Sequence, residues 1–374
     1  MTDVAIIGGG INGLCTAWLL AQKGINVTVF EKNSLMRATS SASSKLLHGG
    51  LRYLENFEIR LVRESLKERV FWLEHAPHLA KPLKILFPVY QDSQRPSWMI
   101  QLGLFVYDLL AGKYKLGAFQ KEHVEHNPDG LKREGLRACF SYYDAQMHDY
   151  ELGLWVAEQA SACGVKILEN IEVKQIDAVL GKIGISHTTS ESGTIEHLAF
   201  DYILNITGPW AEDLINRNGI KTKAALELVR GSHLLVDRKL HEAYILQVPG
   251  EKRIFFVLPY KERTLIGTTE IKHTLGQPIV CSQEEQGYLI KAYNHYFEAA
   301  ITANDIVETF AGLRPLIHSG EQLHKTTREY IFEWTGDKLL TVFGGKWTTA
   351  RALAEKLTTE ILLKERHKNE LSKT

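Results

Sequence analysis

The chain has 374 residues, and its 44 basic and 44 acidic side chains leave no formal net charge. This balance excludes the global positive field of nucleic-acid-binding proteins and gives no reason to expect a strongly charged partner, while the length is ample for two domains. The four cysteines are scattered without CxxC or metal-ligand spacing, so we expect free thiols, a reducing compartment and no metal site.

The N-terminal segment contains the most specific motif. An apolar strand (residues 3–7) leads into Gly8-Gly9-Gly10-Ile11-Asn12-Gly13, a helix follows from residue 14 to about 23, and a second strand (residues 26–30) ends before Glu31. In a GxGxxG turn the glycines let a pyrophosphate approach the helix N-terminus, whose free N–H groups attract its charge. The carboxylate after the second strand accepts hydrogen bonds from ribose hydroxyls. The unit therefore predicts dinucleotide binding.

Later elements alternate between helix and strand without internal repeats. Further helices are predicted over residues 57–75, around 150–163 and from 347 to about 363. Further strands are predicted over residues 165–168, 202–207 and 339–343, within a chain that is β-rich over 226–272 and irregular over 83–145. We predict an α/β protein with a discontinuous nucleotide-binding domain (1–75, 146–222 and 310–374) and a mixed-sheet substrate-binding domain (76–145 and 223–309).

Two further glycine turns bear on the identity of the dinucleotide. Gly208-Pro209-Trp210-Ala211 follows a buried strand, and Gly344-Gly345-Lys346 opens the last helix. Either motif alone is compatible with an ordinary structural turn. A nicotinamide enzyme with one such unit needs neither, whereas a second helix N-terminus suits the pyrimidine edge of a flavin, where it stabilises negative charge. Together the two turns favour FAD over NAD.

A serine-rich run, residues 39–55, separates the second strand from the first long predicted helix. Such runs are usually solvated loops. This one contains Gly49-Gly50 and the basic–aromatic pair Arg52-Tyr53. That composition favours a lining for phosphate oxygens and for the face of a flavin.

Several long motifs together carry a resemblance to a known family. They are the run 39–55, Gly231-Ser232-His233, Gly267-Thr268-Thr269, Gly312-Leu313-Arg314-Pro315-Leu316 and residues 343–349. From residue 3 to about 360 the chain resembles the FAD-dependent sn-glycerol-3-phosphate dehydrogenases. The resemblance implies a Rossmann-like, glutathione-reductase-like FAD-binding domain with an inserted, D-amino-acid-oxidase-like substrate domain. It implies oxidation of a small phosphorylated polyol, sn-glycerol 3-phosphate, to dihydroxyacetone phosphate by hydride transfer to flavin N5, with quinone or oxygen as acceptor.

The resemblance also assigns site residues. Substrate binding falls to Arg52, Tyr53, Thr268, Arg314, Arg328 and Lys346, and catalysis to His233, Arg314 and Lys346. The expected FAD contacts are Gly8, Gly10, Ile11, Asn12, Gly13, Glu31, Lys32, Thr39, Ser40, Ser44, Lys45, His48, Gly49, Gly50, Val173, Gly208, Trp210, Gly345, Lys346 and Thr348.

The chemistry of these side chains agrees with the assignment. A phosphomonoester carries nearly two negative charges and suits planar bidentate donors, which Arg52, Arg314 and Arg328 provide from distant parts of the chain. The C2 hydroxyl must lose its proton, and histidine has a suitable ordinary pKa, which makes His233 a candidate base. Alternatively, Lys346 or Arg314 stabilises the developing alkoxide, and water or a neighbouring group takes the proton.

The sequence departs from the family pattern at two places. Family members continue into a C-terminal helical domain, whereas this sequence ends at Thr374, so we expect a short form of the enzyme. Homo-oligomerisation, and replacement of that domain by a partner, stay open. In addition, Gly267-Thr268-Thr269 is followed by Glu270, where the family generally has aspartate.

Residues 96–111 form a strongly apolar segment with basic flanks, too short to span a bilayer. Trp98 and Tyr107 suit a membrane interface, but a helix buried against the substrate domain accounts for the same pattern. The resemblance favours monotopic contact, because the family's acceptor is lipid-soluble. Since the first strand leaves no room for a signal peptide, we expect a cytoplasmic protein, peripheral on the cytosolic membrane face if this contact forms.

Two other functions stay open at this point. The substrate of the same fold could be another small 2-hydroxy acid or an amine, although such sites need one arginine for a carboxylate and several basic groups are present here. The chain could also be a non-catalytic flavoprotein subunit. The presence of His233 and Lys346 argues against that second alternative.

Overall fold

A computed structural model of the protein describes residues 2–123, 129–189, 194–317 and 330–371. Contacts within the chain divide it into two compact units. Unit 1 comprises Met1–Ser41, Asp149–Val229 and Arg314–Thr374, and unit 2 comprises Ala42–His148 and Arg230–Leu313.

Helices and strands alternate along the described parts of the chain. The helices are α1 (Ile11–Ala21), α2 (Ile59–His75), α3 (Ser97–Ala111), α4 (Asp149–Ala162), α5 (Ala211–Arg217), α6 (Gln283–Tyr296) and α7 (Ala350–Leu371). The strands are β1 (Asp3–Ile7), β2 (Asn26–Phe30), β3 (Leu46–Leu47), β4 (Ala80–Tyr90), β5 (Gln120–Glu122), β6 (Leu136–Met147), β7 (Lys166–Leu168), β8 (Ile171–Asp177), β9 (Lys182–His187), β10 (Glu196–Ala199), β11 (Tyr202–Asn205), β12 (Leu226–Val236), β13 (Ala243–Gln247), β14 (Ile254–Tyr260), β15 (Arg263–Gly267), β16 (Ile271–Lys272), β17 (Ile306–Ile317), β18 (Tyr330–Thr335) and β19 (Leu339–Gly344).

Unit 1 is built on a six-stranded sheet in the order β18-β19-β11-β1-β2-β7. β1 pairs in parallel with β2 and β11, and β11 pairs in parallel with β19, while the edge strand β18 is antiparallel. Residues 4–7 of β1 are all buried, as a parallel strand covered on both faces requires. Helix α1 packs against α4 and α7, and β8, β9 and β10 form a separate small sheet. The Rossmann-like pattern predicted for the N-terminus is present.

Unit 2 is built on a ten-stranded mixed sheet in the order β16-β12-β15-β14-β13-β4-β6-β3, with β17 beside β12 and β5 beside β6. The β13–β4 pair is parallel, whereas pairs such as β12–β15 and β4–β6 are antiparallel. Leu234 and Val236 of β12 join a core that includes residues of α6, and Leu235 between them joins a core that includes residues of α2 and α3. This two-residue alternation places α6 on one face of the sheet and α2 with α3 on the other.

The prediction that residues 83–145 are irregular is wrong. They contain most of β4, all of α3 and most of β6. Prolines usually interrupt strands, yet Pro82 and Pro88 both lie in β4. Both lie outside the two β4 residues, Ile85 and Leu86, that pair with β13, so their missing N–H groups leave that ladder intact.

One segment lies in a different unit from its predicted domain. The prediction assigns residues 42–75 to the nucleotide-binding domain, whereas the contacts place them in unit 2. The cause is long-range, because β3 pairs with β6, and Val62 and Leu66 of α2 join the core shared with α3. The other boundaries differ by a few residues, for example 149 in place of 146 and 314 in place of 310.

Helix α3 has two contrasting faces. Its buried face consists of Ile100, Leu104, Tyr107 and Ala111. Its opposite face, here called the apolar stripe, consists of Trp98, Leu102, Phe105 and Leu109, which are 53–70% exposed. The interpretation as a buried helix therefore describes the first face, and the interpretation as an exposed apolar segment describes the apolar stripe. No described helix is both long enough and apolar enough to cross a bilayer.

A buried charge pair joins the elements of unit 2 around Gly49. Arg69 of α2 donates to Asp144 of β6 at 2.8 Å, and both side chains are almost completely buried. Asp144 also accepts hydrogen bonds from the Tyr107 hydroxyl at 2.7 Å and from the Gly49 amide at 3.1 Å. Burial and the nearby carboxylate raise the pKa of Tyr107 well above its ordinary value, so its hydroxyl stays a donor. The network fixes α2, α3, β6 and the Gly49 loop together.

We predict that Asp144→Asn lowers the free energy of unfolding by about 3–5 kcal/mol, because the Arg69 charge stays buried without its counter-charge. Urea unfolding of the FAD-loaded protein measures the effect. Asp213→Asn, which breaks the half-exposed Asp213–Arg217 pair, is the matched control and should change stability by less than about 1 kcal/mol. Equal losses in the two variants would contradict the role assigned to Asp144.

Candidate active site

The turn between β1 and α1 has no room for side chains. Gly8 has φ +112°, and a Cβ atom there would lie 2.6 Å from the Ile206 carbonyl oxygen. A Cβ on Gly13 would overlap the Gly8 carbonyl oxygen. Glycine at both positions therefore lets α1 begin directly after β1, with its N-terminus at the turn.

The start of α1 is equipped for an anion. No side chain caps the helix at Gly10, and the buried Oδ1 of Asn12 has no hydrogen-bond partner among the described residues. Ser40, in the 3₁₀ turn Thr39–Ser41, accepts a hydrogen bond from the Ile11 amide at 3.0 Å. A helix N-terminus whose N-cap residue has no side chain, with a hydroxyl beside it, suits the pyrophosphate of a dinucleotide.

Glu31 is held against the same turn. Its Oε2 accepts a hydrogen bond from the Gly9 amide at 2.7 Å, and its Oε1 accepts one from the Asn33 amide at 2.9 Å. The fixed carboxylate keeps lone pairs free for ribose hydroxyls. Lys32, another expected cofactor contact, forms an exposed ion pair with Glu172 at 3.0 Å.

A second glycine turn meets the first within unit 1. A Cβ on Gly345, which has φ +103°, would lie 2.7 Å from Nδ2 of Asn12. The Trp347 indole donates to the Ser40 carbonyl oxygen at 2.9 Å. The next residue, Thr348, is buried. Segments distant in sequence thus converge on the start of α1. Helix α7 begins three residues later than predicted, at Ala350.

Three further unit 1 residues predicted to contact the cofactor lie within or just after strands. Gly208 and Trp210 bound a 3₁₀ turn after β11, and Gly208 has φ +58°, a conformation that favours glycine. Val173 is buried in β8. The neighbouring Ile171 amide donates to the Glu31 carbonyl oxygen at 2.9 Å, so β8 begins next to the ribose-binding candidate.

His233 lies in a tight cluster within unit 2. Its Nε2 is 2.9 Å from the Ser44 hydroxyl, and its ring stacks on Phe310 with centroids 4.8 Å apart. A Cβ on Gly267 would overlap the imidazole, so glycine is needed there. The Lys45 ammonium lies over the other ring of the pair, 4.8 Å from the Phe310 centroid. The cluster fixes the orientation of a histidine that is 3% exposed.

A buried carboxylate supports the strand that carries His233. Glu285 accepts hydrogen bonds from the Ser232 hydroxyl at 2.8 Å, the Thr269 hydroxyl at 2.6 Å and Arg230 at 2.7 Å. Burial opposes its charge, but these hydrogen bonds and one from a backbone amide outweigh burial and lower its pKa. Because Ser232 directly precedes His233, the network holds the strand in place behind the histidine.

A second charged group connects two predicted substrate residues. Arg52 lies 3.7 Å from Glu270, and Arg253 lies 3.3 Å from the other oxygen of that carboxylate. Arg253 also donates to the Thr268 carbonyl oxygen at 3.2 Å. Glu270, at the position where the resemblance implies aspartate, therefore connects Arg52 to the strand end at Thr268.

The loop that precedes Arg52 is packed around its glycines. Gly50 has φ +75°, and a Cβ there would overlap the Tyr53 ring. The His48 and Tyr53 rings have centroids 6.4 Å apart. The Gly49 amide is 2.8 Å from the Tyr107 hydroxyl. Predicted cofactor and substrate residues are thus neighbours here.

The structure groups the predicted site residues in two sets. Arg52, Tyr53, His233 and Thr268 lie in unit 2 with Ser44, Lys45, His48, Gly49 and Gly50, whereas Arg314 and Lys346 lie in unit 1 with the residues of the glycine turns. Arg328 lies outside the described residues.

Sequence reasoning missed Glu285, Phe310 and Arg253. The Ser282–Glu285 spacing is readable as a capping box that starts α6, and the structure contains that box. No local sequence pattern predicts the further hydrogen bonds that Glu285 accepts from β12 and from Thr269. The four cysteines are free, and among the described residues no cluster of potential ligands could hold a metal ion.

Comparison with protein families matches residues 3–359 to the FAD dependent oxidoreductase family. D-erythritol 1-phosphate dehydrogenase of Brucella abortus is 37% identical over 364 residues, which cover 95% of this chain and 72% of that protein. Glycerol-3-phosphate dehydrogenase of Pseudomonas aeruginosa is 39% identical over 374 residues, which cover 96% of this chain and 71% of that protein.

Among solved structures, the glycerol-3-phosphate dehydrogenase of Bacillus halodurans complexed with FAD matches with a TM-score of 0.74 and 26% identity. The match covers 96% of this chain but 64% of that one, so this chain spans less than two thirds of that protein. Glycine oxidase of Geobacillus kaustophilus matches with a TM-score of 0.71 and 19% identity, a likeness of fold. These matches confirm the predicted fold class.

We predict that Glu285→Gln destabilises the protein at neutral pH and that the difference shrinks in acid. The folded state lowers the pKa of Glu285 below its ordinary value of 4.5. Its stabilisation is therefore complete above that value and is lost as the pH falls through the lower, folded-state pKa. Thermal unfolding midpoints from pH 7 to pH 3 measure the effect. The exposed Glu308 of β17 supplies the control, Glu308→Gln, and a pH-independent difference for Glu285→Gln would refute the charge-based account.

Proposed function

The chain belongs to the family of FAD-dependent oxidoreductases, and we propose that it oxidises sn-glycerol 3-phosphate to dihydroxyacetone phosphate. The observation that carries the proposal is 39% identity over nearly the whole chain to a glycerol-3-phosphate dehydrogenase. The hydrogen bond between Ser44 and the buried His233 supports it, because the predicted base is held in one orientation.

FAD, when bound, would supply the hydride-accepting group for this oxidation. The residues of unit 1 fit this cofactor, since the α1 N-terminus is uncapped and Glu31 is fixed beside it. The glycine turn would hold the pyrophosphate, and the Glu31 carboxylate would hold the ribose hydroxyls.

His233 takes the proton of the C2 hydroxyl in this proposal. Ser44 positions the imidazole through Nε2, and Phe310 covers one face of the ring, which leaves little freedom to reorient. A fixed base lowers the entropy loss on reaching the transition state. The Glu285 network behind Ser232 keeps the strand of His233 from shifting.

Substrate phosphate and oxygen contacts are proposed from the resemblance for Arg52, Tyr53, Thr268, Arg314, Arg328 and Lys346. Glu270 supports the assignment of Arg52, because its carboxylate lies 3.7 Å from that guanidinium while the Arg52 side chain stays 53% exposed for a ligand. A partly exposed guanidinium held beside a carboxylate can donate hydrogen bonds to the oxygens of a phosphate dianion.

D-erythritol 1-phosphate is the second candidate substrate. A relative named for that substrate is 37% identical over 95% of this chain. The two substrates share a phosphate and a hydroxyl to be oxidised but differ in the length of the polyol, so pocket length decides between them.

Anaerobic mixing of the FAD-loaded protein with each substrate tests the proposal. Glycerol 3-phosphate should bleach the flavin fastest, D-erythritol 1-phosphate more slowly, and a 2-hydroxy acid or an amine not at all. Faster bleaching by D-erythritol 1-phosphate would make that the substrate, and no bleaching by any phosphorylated polyol would indicate a non-catalytic flavoprotein. Reoxidation by a ubiquinone analogue or by oxygen then identifies the acceptor, for which we propose quinone.

We predict that His233→Asn slows flavin reduction by about 10²–10⁴-fold, the usual contribution of a general base, with little change in substrate affinity. Stopped-flow absorbance over a range of pH separates the two quantities. His241→Asn, at an exposed histidine outside the predicted site, is the control. An unchanged rate and pH profile in His233→Asn would remove this residue as the base.

We also propose that the apolar stripe of α3 attaches the protein peripherally to a membrane. Its side chains recur every three or four residues, so they form one continuous exposed face of the helix. Phe57, which is 85% exposed, adds apolar surface in a segment that contacts α3. Such a face inserts into the headgroup region without spanning the bilayer.

The double variant Phe105→Lys/Leu109→Lys should lose binding to phospholipid vesicles while keeping its rate of flavin reduction. Sedimentation with vesicles measures binding. Val179→Lys/Leu180→Lys changes two exposed apolar residues of unit 1 and should bind vesicles as the unmodified protein does. Retained binding in the α3 variant would refute membrane contact through the stripe.

A further inference from the structure

Unit 2 contains a concave site that none of the predicted cofactor or substrate residues lines. Its volume is about 610 Å³, and its walls are the start of β4, the end of β6, the loop before β13 and the β14–β15 hairpin. We call it the basic cavity, after Lys81, Lys84, Lys239, Lys261 and Arg263 in its lining.

Positive charge is concentrated in this cavity. Its five basic side chains face two acidic ones, Glu242 and Glu262, although the whole chain has no net charge. Lys239 pairs with Glu262, and Lys84 pairs with Glu122 at 2.7 Å. Lys81 and Arg263 form no ion pair in the part of the chain that the structure describes. The paired charges leave a local surplus that an anion would neutralise.

The shape and chemistry of the basic cavity select the class of ligand. Low-dielectric walls focus the field of converging cations, so a ligand with several negative charges gains most. Ammonium groups and a guanidinium fork are the usual ligands of phosphate. The volume lies in the range of small-molecule sites, about 300–1,000 Å³. Gln146, which is buried, donates to the Pro259 carbonyl oxygen at 2.8 Å and gives the cavity an ordered polar floor.

The floor of the basic cavity adjoins the segment that carries Ser44. Gln146 pairs with Leu46 in the β3–β6 ladder, and the Met147 amide donates to the Lys45 carbonyl oxygen at 2.9 Å. Arg263 begins β15, the strand whose last residue, Gly267, lies against His233. A ligand in the cavity would therefore contact strands that also position the His233 cluster.

We propose that the basic cavity is a second anion site, which binds a small molecule or headgroup bearing phosphate groups. Lys81 and Arg263 are its principal ligands, because the neighbouring Lys84 and Lys239 already have counter-charges. The proposal is independent of the oxidation reaction, since it concerns binding at residues outside the predicted active site.

Calorimetric titration of the FAD-loaded full chain with inorganic pyrophosphate tests the site. The double variant Lys81→Gln/Arg263→Gln should bind pyrophosphate at least about tenfold more weakly than the unmodified protein. Lys174→Gln/Arg366→Gln removes the same two residue types from exposed positions of unit 1 and should bind it unchanged. Thermal unfolding and flavin reduction by glycerol 3-phosphate should be equal in all three proteins, which separates this test from that of the proposed function.

A parallel arm distinguishes the source of the phosphate. The same three proteins are sedimented with vesicles of phosphatidylglycerol or of phosphatidylcholine. Loss of pyrophosphate binding in the cavity variant but not in the control variant indicates a soluble ligand. Loss of phosphatidylglycerol binding in the cavity variant but not in the control variant indicates a lipid headgroup. Either result supports the site. Absence of both kinds of binding, or equal loss in the two double variants, overturns it and leaves the basic residues as a solvated surface.

Discussion

The absence of a side chain at Gly13 is the constraint on which unit 1 depends. A Cβ atom there would overlap the Gly8 carbonyl oxygen, so no other residue lets α1 begin this close to β1. The close start keeps the helix N-terminus beside Glu31, which the Gly9 amide fixes, and beside Gly345, which touches Asn12. One steric requirement thus brings the helix dipole, the carboxylate and the second glycine turn together, an arrangement that suits the dinucleotide site proposed above.

Unit 2 achieves rigidity by a different means, through buried carboxylates that each accept several hydrogen bonds. Asp144 accepts hydrogen bonds from Arg69, Tyr107 and the Gly49 amide. Glu285 accepts one from the Ser232 hydroxyl and forms the capping box at the start of α6. Such groups are strongly destabilising when one partner is lost, so they tolerate little movement. Their consequence is a fixed Gly49 loop and a fixed strand at His233, the two places where the proposed reaction requires groups to be held.

The sequence predicted what depends on local pattern. The glycine turn, β1, β2 and the β-rich character of residues 226–272 follow from spacing and alternation, and all are present. It failed where pairing is long-range. β4 contains prolines, which are typical of loops, but it is a strand because it pairs with β6. Residues 42–75 belong to unit 2 because β3, within them, also pairs with β6. The role of Glu285 could not be predicted for the same reason, because its hydrogen-bond partners Arg230, Ser232 and Thr269 are distant in the sequence.

Equilibrium binding of FAD to the apoprotein is the most direct measurement of the central claim, that the glycine turn holds the cofactor. The account predicts one FAD per chain, unchanged in Gly287→Ala, where a Cβ meets nothing within 4 Å, and at least about 100-fold weaker in Gly13→Ala, roughly 3 kcal/mol. Circular dichroism should confirm that both variants are folded. A folded Gly13→Ala protein that binds FAD as tightly as the unmodified chain would contradict the account.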